Sequence, residues 1–472
     1  MDTQCIPTQL EFHALGKREV VGKFDGGNIT SDAGGLLLRE TEKRTGILSR
    51  FAECFGDLRD PELIEHTVAE LVAQRVYGLA LGYEDLNDHD DLRRDPLMAV
   101  LVGKEDPEGE GRIRPQDKGK AMAGKSTLNR LELTPANPTA ADLRYKKIIM
   151  KPEEIDRLLV DAFLQSHGKP PQQIVLDVDA TDDPLHGKQE GRFFHGYYMN
   201  YCYLPLYIFC EEFLLCARLR PSNIDASEGT VEELERIVGQ IRSAWPEVEI
   251  IVRGDSGFCR DEIMSWCEGR QIEYVFGLAK NERLKSMIAA ELEQAHQWYE
   301  QTRRAARVFK DFRYQTLESW TRERRVIAKA EHLDKGANPR FVVTSIDPQV
   351  MDGQTLYERL YCARGEMENR IKEQQLWLFA DRTSTGRMRA NQLRLYFSSI
   401  AYLLMHALRR LGLRGTEMAA AQCNTIRLKL LKVGAQVRVT VRKVWVSLAG
   451  GYPYAELFER VYVNLMAVPL RR

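Results

Sequence analysis

Paired cysteines are missing from this sequence. Its nine cysteines are odd in number, scattered, and include no C-x-x-C pair, which argues against both a disulfide framework and a zinc ribbon and fits a reducing cytoplasm. Long apolar runs are missing too. The most apolar stretches, "YLPLYIFC" (203–210) and "IAYLLMHAL" (400–408), are too short to span a bilayer. The opening "MDTQCIPTQLEF" lacks a basic start followed by an apolar run, so no secretory signal is expected. No internal repeat is visible. Neither sign of charge dominates: the net charge is −1, so the chain as a whole carries no polyanion-binding signature.

What is present is size, ordinary globular composition and an uneven distribution of charge. At 472 residues the chain has room for two or three domains. From residue 401 onward twelve Lys or Arg face only Glu417, Glu456 and Glu459, a local basic surplus of the kind that lets one face meet nucleic acid. Residues 1–145 read as mainly helical, with apolar residues at helical spacing in "DAGGLLLRETEKRTGILSRFAECF" and "ELIEHTVAELVAQRVYGLALG". Residues 146–400 change pattern: three strands, a helix, "VEIIVRGDSGF" as a strand, a helix, and "IEYVFGLA" as a strand make a mixed five-stranded α/β sheet. That order resembles the ribonuclease H-like fold. Residues 281–350 open with a polar helix (281–304) and then turn strand-like, a β-rich insertion within the α/β domain. Residues 401–472 form a basic C-terminal region for DNA contact or dimerisation. Within it "AQVRVTVRKVWVSL" alternates Val437, Val439 and Val441 with Arg438, Thr440 and Arg442, the pattern of a half-buried strand with a basic outer face.

One motif points toward nucleotide chemistry. "GKAMAGKS" (119–126) fits G-x-x-x-x-G-K-[ST], a phosphate-cradling loop, but that chemistry needs a buried strand before the loop and a helix N-terminus after it. The upstream "EDPEGEGRIRPQD" is charged and broken by Pro107 and Pro115. The residues around the loop, Lys125 and Arg130 among them, are read instead as a basic cluster for phosphate-backbone contact.

The carboxylates are more informative. Asp177 and Asp179 sit in the apolar run "QQIVLDVDAT", and period-two geometry puts both on one face. Charges there are costly unless paired or bound to a metal. Asp255 ends the second such run at a glycine-flanked terminus, where ligands collect in open α/β sheets. In "YCARGEMENRIKE" helical spacing brings Tyr361, Arg364 and Glu368 to one side. Two strand-end aspartates and a helical glutamate make a set of hard oxygen ligands suited to Mg²⁺ or Mn²⁺. Two such ions can activate a water or a 3′ hydroxyl and stabilise the leaving oxygen of an in-line phosphoryl displacement.

The segments "LDVDATDDPLHGKQEG", "IIVRGDSGFCRDE", "YCARGEMENRIKE" and "STLNRLE" together resemble the DDE transposases of bacterial insertion sequences. The branch is the one whose third motif is Y-x2-R-x3-E-x6-K, more narrowly insertion-sequence family thirteen-eighty. The resemblance implies Asp179 (with Thr181), Asp255 and Glu368 as catalytic metal ligands for two Mg²⁺, with Mn²⁺ as a substitute. It also implies Tyr361 and Arg364 as contacts to DNA phosphates. The branch's lysine position falls on Gln375, with Lys372 one turn earlier as its replacement. His186, Lys188 and Arg192 are candidates for the DNA channel. Phe341, with Trp320 second, is the candidate for an aromatic that holds a flipped base. The implied activity is cut-and-paste transposition: binding of terminal inverted repeats, cleavage of the ends, and joining of 3′ hydroxyls to target DNA by a dimer. No nucleotide and no membrane take part, and the setting is the bacterial cytoplasm at the nucleoid. The rival expectations are an inactive DNA-binding derivative and a P-loop NTPase.

Overall fold

The computed structural model describes residues 9–471. Most of the stretch read for a secretory signal, and Arg472 of the basic count, lie outside the described residues. The chain divides into two compact units: residues 53–56 and 132–406 form one, and residues up to 52, 57–131 and from 407 onward form the other.

The larger unit is a mixed α/β body built on one sheet. In chain order its main strands are β1 (Gln173–Ala180), β2 (Leu206–Cys210), β3 (Phe213–Arg218), β4 (Glu249–Gly254), β5 (Glu273–Leu278), β6 (Ala306–Tyr314), β7 (Arg324–Leu333) and β8 (Arg340–Thr344). They lie in the order β3-β2-β1-β4-β5-β8-β7-β6. The β1-β4-β5 core is parallel, and the remaining neighbours are antiparallel. Strands buried on both faces need apolar residues at both parities, and β1, β4 and β5 supply them. Ile174, Leu176, Val178, Ile250, Val252, Tyr274 and Phe276 pack with Phe163 of helix α1 (Pro152–Gln165), Leu234, Ile237 and Ile241 of α2 (Thr230–Ala244), and Ile263 and Met264 of α3 (Asp261–Gly269). The opposite face is thinner: Ile251, Val275, Ile327 and Val342 meet Leu356 and Tyr357.

Three expectations change. The sheet expected with five strands is wider, because β8, β7 and β6 of the β-rich insertion continue it from the outer edge of β5, which would otherwise present unpaired backbone groups. The polar helix expected over 281–304 breaks at Ile288 into Glu282–Met287 and Ala289–Thr302. The third motif is not one regular helix: Leu356–Tyr361 is a π turn and Cys362–Arg364 a 3₁₀ turn before helix α4 (Gly365–Leu378). π turns inside helices often mark functional sites.

In the smaller unit helices such as Gly35–Thr45 and Val68–Leu81 dominate, the latter opened by a Thr67–Glu70 capping box. A hairpin, Leu10–Leu15 with Arg18–Gly22, stands beside the helices. The C-terminal residues fold onto the N-terminal ones here: Ala33 and Gly34 donate backbone N–H bonds to Val433 and Leu431, and a Cβ on Gly34 would collide with the Leu430 carbonyl. The stretch expected as one basic-faced strand is a hairpin, Ala435–Val439 with Val444–Leu448. Thr440 reverses the chain, its hydroxyl donating to the Lys443 carbonyl and accepting from the Lys443 N–H, a side chain closing its own turn. Val441 at the tip is fully exposed.

Leu176 is fully buried at the centre of the larger core, so Leu176→Ala is expected to destabilise by about 2–5 kcal/mol in urea unfolding. Val441→Thr, by contrast, is expected to stay within about 0.5 kcal/mol of wild type. A loss above about 1 kcal/mol at Val441 would contradict the hairpin and favour the single half-buried strand.

Candidate active site

In-register pairing builds the site. Arg253 lies opposite Asp177, and Gly254 opposite Val178, in the parallel β1–β4 ladder. Even-numbered residues of both strands enter the helix-covered core, so Asp177, Asp179, Arg253 and Asp255 share the other face. Asp177 and Arg253 cancel each other: Asp177 is 3% and Arg253 7% exposed, and Arg253 donates Nε to one carboxylate oxygen and Nη2, at 2.7 Å, to the other. Asp179, two residues further toward the strand end, lies opposite Tyr207 in the β1–β2 ladder, which offers its carboxylate no countercharge.

Asp255 opens a 3₁₀ turn, Ser256–Phe258, and accepts the Gly257 N–H at 2.8 Å through one oxygen. It therefore serves the turn and faces the site at once. Arg364 bridges the other two acids. Its Nη2 is 2.8 Å from Glu368 Oε1 and its Nη1 3.8 Å from Asp179 Oδ1. Asp179, Asp255, Arg364, Glu368 and Lys372 line one open cavity of about 520 Å³, together with Thr181, Gln375, His195, Tyr197 and Tyr198. Burial pushes the Asp179 carboxyl up to about 7; Arg364 opposes this, and Asp255 and Glu368 add to it. On Arg364, burial pulls the pKa down and the carboxylates of Asp179 and Glu368 more than offset it.

Tyr361 stands beside the cavity. A Cβ on Gly277 would lie 2.5 Å from its hydroxyl and 3.3 Å from the Asp255 carbonyl carbon, so the bare backbone of β5 is what admits the phenol. Gln375 donates to the Asp182 carbonyl at 3.2 Å and braces the chain after β1.

Other expected site residues lie elsewhere. His186 and Lys188 are exposed on the loop after the first aspartate and do not line the cavity. Arg192 is stacked 3.6 Å over the Tyr201 ring. Phe341 and Trp320, 3% and 5% exposed, are core residues, so neither offers a face to a base. Lys125 pairs with Asn87 and Asp90, and Asp90 also accepts the Lys125 backbone N–H. A carboxylate thus caps the helix N-terminus that a phosphate loop would need, and no strand precedes it. Arg130 is exposed in the last turn of the same helix.

Sequence reasoning missed Arg253, Gly277 and the aromatic wall of His195, Tyr197 and Tyr198. A signal for Arg253 was present: it is a charge in an apolar strand two residues before an aspartate, just as Asp177 is.

Among the described residues, no group of three or more His, Cys, Asp or Glu stands close enough, as the side chains lie, to hold a metal ion. The donor chemistry of Asp179, Asp255 and Glu368 still fits a hard divalent cation, since all three offer oxygen.

Residues 12–470 match the family described as transposase DDE domain group 1. The chain belongs to that family. DDE transposases use divalent metal ions, and the match embraces every segment that lines the cavity. No curated protein matches the chain. Among solved structures, a piggyBac transposase synaptic complex with hairpin DNA, seen by cryo-EM, is similar at 12% identity and a TM-score of 0.41, over 85% of this chain and 80% of that one. That score is too low to carry an argument about this DDE transposase domain. Among the described residues no helix is long and apolar enough to cross a membrane.

A carboxyl whose folded pKa exceeds its unfolded value stabilises the fold below the unfolded pKa, and that stabilisation is lost as pH rises through the folded pKa. For Asp179 the window runs from about 4 to about 7. In metal-free buffer, Asp179→Asn is therefore expected to raise stability over wild type at pH 8, by up to a few kcal/mol at about 1.4 kcal/mol per pH unit. The advantage should shrink at pH 5. Thermal melts in which the difference is the same at both pH values would contradict the assigned ionisation.

Proposed function

We propose that the protein is the cut-and-paste transposase of an insertion sequence. It binds the terminal inverted repeats, cleaves the ends and joins the 3′ hydroxyls to target DNA. The observation that carries this reading is the convergence of Asp179, Asp255 and Glu368, from three separate segments, on one open cavity within the span of the family match. The strand order β3-β2-β1-β4-β5 supports a ribonuclease H-like core.

In this reading Asp179, Asp255 and Glu368 hold Mg²⁺, two ions per site, with Mn²⁺ as a substitute. The bound cations supply Lewis acidity and a nucleophilic water at neutral pH. The chain's own work is charge placement. Arg364 offers the cavity a guanidinium already held by two carboxylates, suited to a phosphate oxygen. Lys372, exposed at the rim, adds a second cation, and Tyr361 a phenol beside Asp255. With Gln375 engaged at a backbone carbonyl, Lys372 takes the phosphate contact of the branch's lysine. Residues 1–145 are assigned to DNA binding and 401–472 to DNA contact or dimerisation, with residues 146–400 as the catalytic domain. Two transposon ends must be brought together, which calls for at least a dimer. The setting is the bacterial cytoplasm, at the nucleoid.

The test is cleavage of a DNA fragment carrying the element's own ends, with Mg²⁺ or Mn²⁺ and no nucleotide. Wild type is expected to cut at the ends. Asp255→Asn and Glu368→Gln are expected to bind equally and to cut at least about 100-fold more slowly, the loss of roughly 3 kcal/mol of transition-state stabilisation. Binding without cutting by all three proteins would favour the inactive derivative, and cutting only with ATP would revive the nucleotide reading.

A further inference from the structure

Arg253 is bound on three sides by groups that the proposed chemistry does not use. Its Nε and Nη2 donate to the two oxygens of Asp177, and its Nη1 donates to the carbonyl of Leu360. These partners belong to three different parts of the chain. Asp177 is in β1, two residues before Asp179. Arg253 is in β4, two residues before Asp255 and in register with Asp177. Leu360 is in the π turn, next to Tyr361, about one turn ahead of Arg364 and two ahead of Glu368. We propose that Arg253 is a positioning residue: its guanidinium fixes where the segments bearing Asp179, Asp255 and Glu368 stand relative to one another, without touching the reacting atoms. This rests on the transposase reading above.

Three considerations support it. A buried ion pair is a poor source of stability, because an apolar pair of similar volume serves the fold as well or better. The pair's use is therefore sought in specificity, and the register offers it: a one-residue slip of β1 against β4 would leave both charges buried and unpaired, and would move the two catalytic aspartates apart along the ladder. The third bond is the informative one. A pair that served only the sheet would have no need of Leu360, whereas this fork reaches out of the sheet plane to the one helical segment that completes the site. A guanidinium can make both sets of bonds at once because its donors are fixed in a planar fork; a lysine ammonium cannot reproduce that geometry.

The test uses the full chain and two variants. Arg253→Lys keeps the charge and loses the fork. The double variant Asp177→Leu with Arg253→Met replaces the pair by apolar side chains, so the sheet can keep its packing while the tie to Leu360 is gone. Both are expected to bind an end-bearing duplex with wild-type Kd. Their cleavage rate at saturating DNA should fall at least 100-fold, and the Mn²⁺ concentration for half-maximal cleavage should rise at least tenfold. Hydrogen exchange should quicken in peptides covering 356–368 while those covering 206–218 stay as in wild type. Asp177→Asn, which keeps the shape of the side chain, replaces any variant that fails to melt cooperatively. A double variant that melts like wild type and cleaves within threefold of it would overturn the proposal. Failure of wild type itself to cut would count against the transposase reading. Exchange then decides the positioning claim by itself: unchanged protection of 356–368 in Arg253→Lys refutes it.

Discussion

The parallel pairing of β1 with β4, Asp177 opposite Arg253, is the constraint from which the site follows. Alternation along each strand gives every residue one of two faces, and register decides which residues of the two strands share a position. Leu176, Val178, Ile250 and Val252 are committed to the helix-covered core. The odd-numbered residues between them then have no choice of face, and Asp177, Asp179, Arg253 and, just past the end of β4, Asp255 are all odd-numbered.

Four charges on one sheet face need a balance, and the structure divides them unequally. The inner pair neutralises itself and is sealed in. Of the outer two, Asp179 shares the guanidinium of Arg364 with Glu368 from α4, and burial holds its carboxyl near neutral pH. A site arranged so sets carboxylates and, in Arg364 and Lys372, cations around one cavity. A phosphodiester accompanied by divalent cations satisfies both.

The strand-end aspartates were legible because a charge inside an apolar run is expensive and has to be explained locally. The same reasoning reached Asp177 and Asp179 but stopped short of Arg253, since a single strand does not reveal its neighbour's register. Helical spacing located Tyr361, Arg364 and Glu368 on one side, yet missed the π and 3₁₀ turns, whose hydrogen bonding depends on what the segment packs against. Phe341 in its strand and Trp320 in the turn before β7 show the opposite weakness: an aromatic looks the same in sequence whether it faces a ligand or the core. The hairpin at Thr440 was hidden by valines on both sides of the turn, which keep the period-two pattern running through the reversal.

The 112 residues between Asp255 and Glu368 leave the site through β5 and return to it through β8, neighbours in the same sheet. Whatever lies beyond that pair is a detour with fixed ends. Trp320 pins the turn from β6 to β7 to the core, but elsewhere in the detour loop closure grows only logarithmically with length, about 0.6 kcal/mol for each doubling. The fold can therefore be lengthened there over generations, acquiring whole modules, while the three acids keep their places.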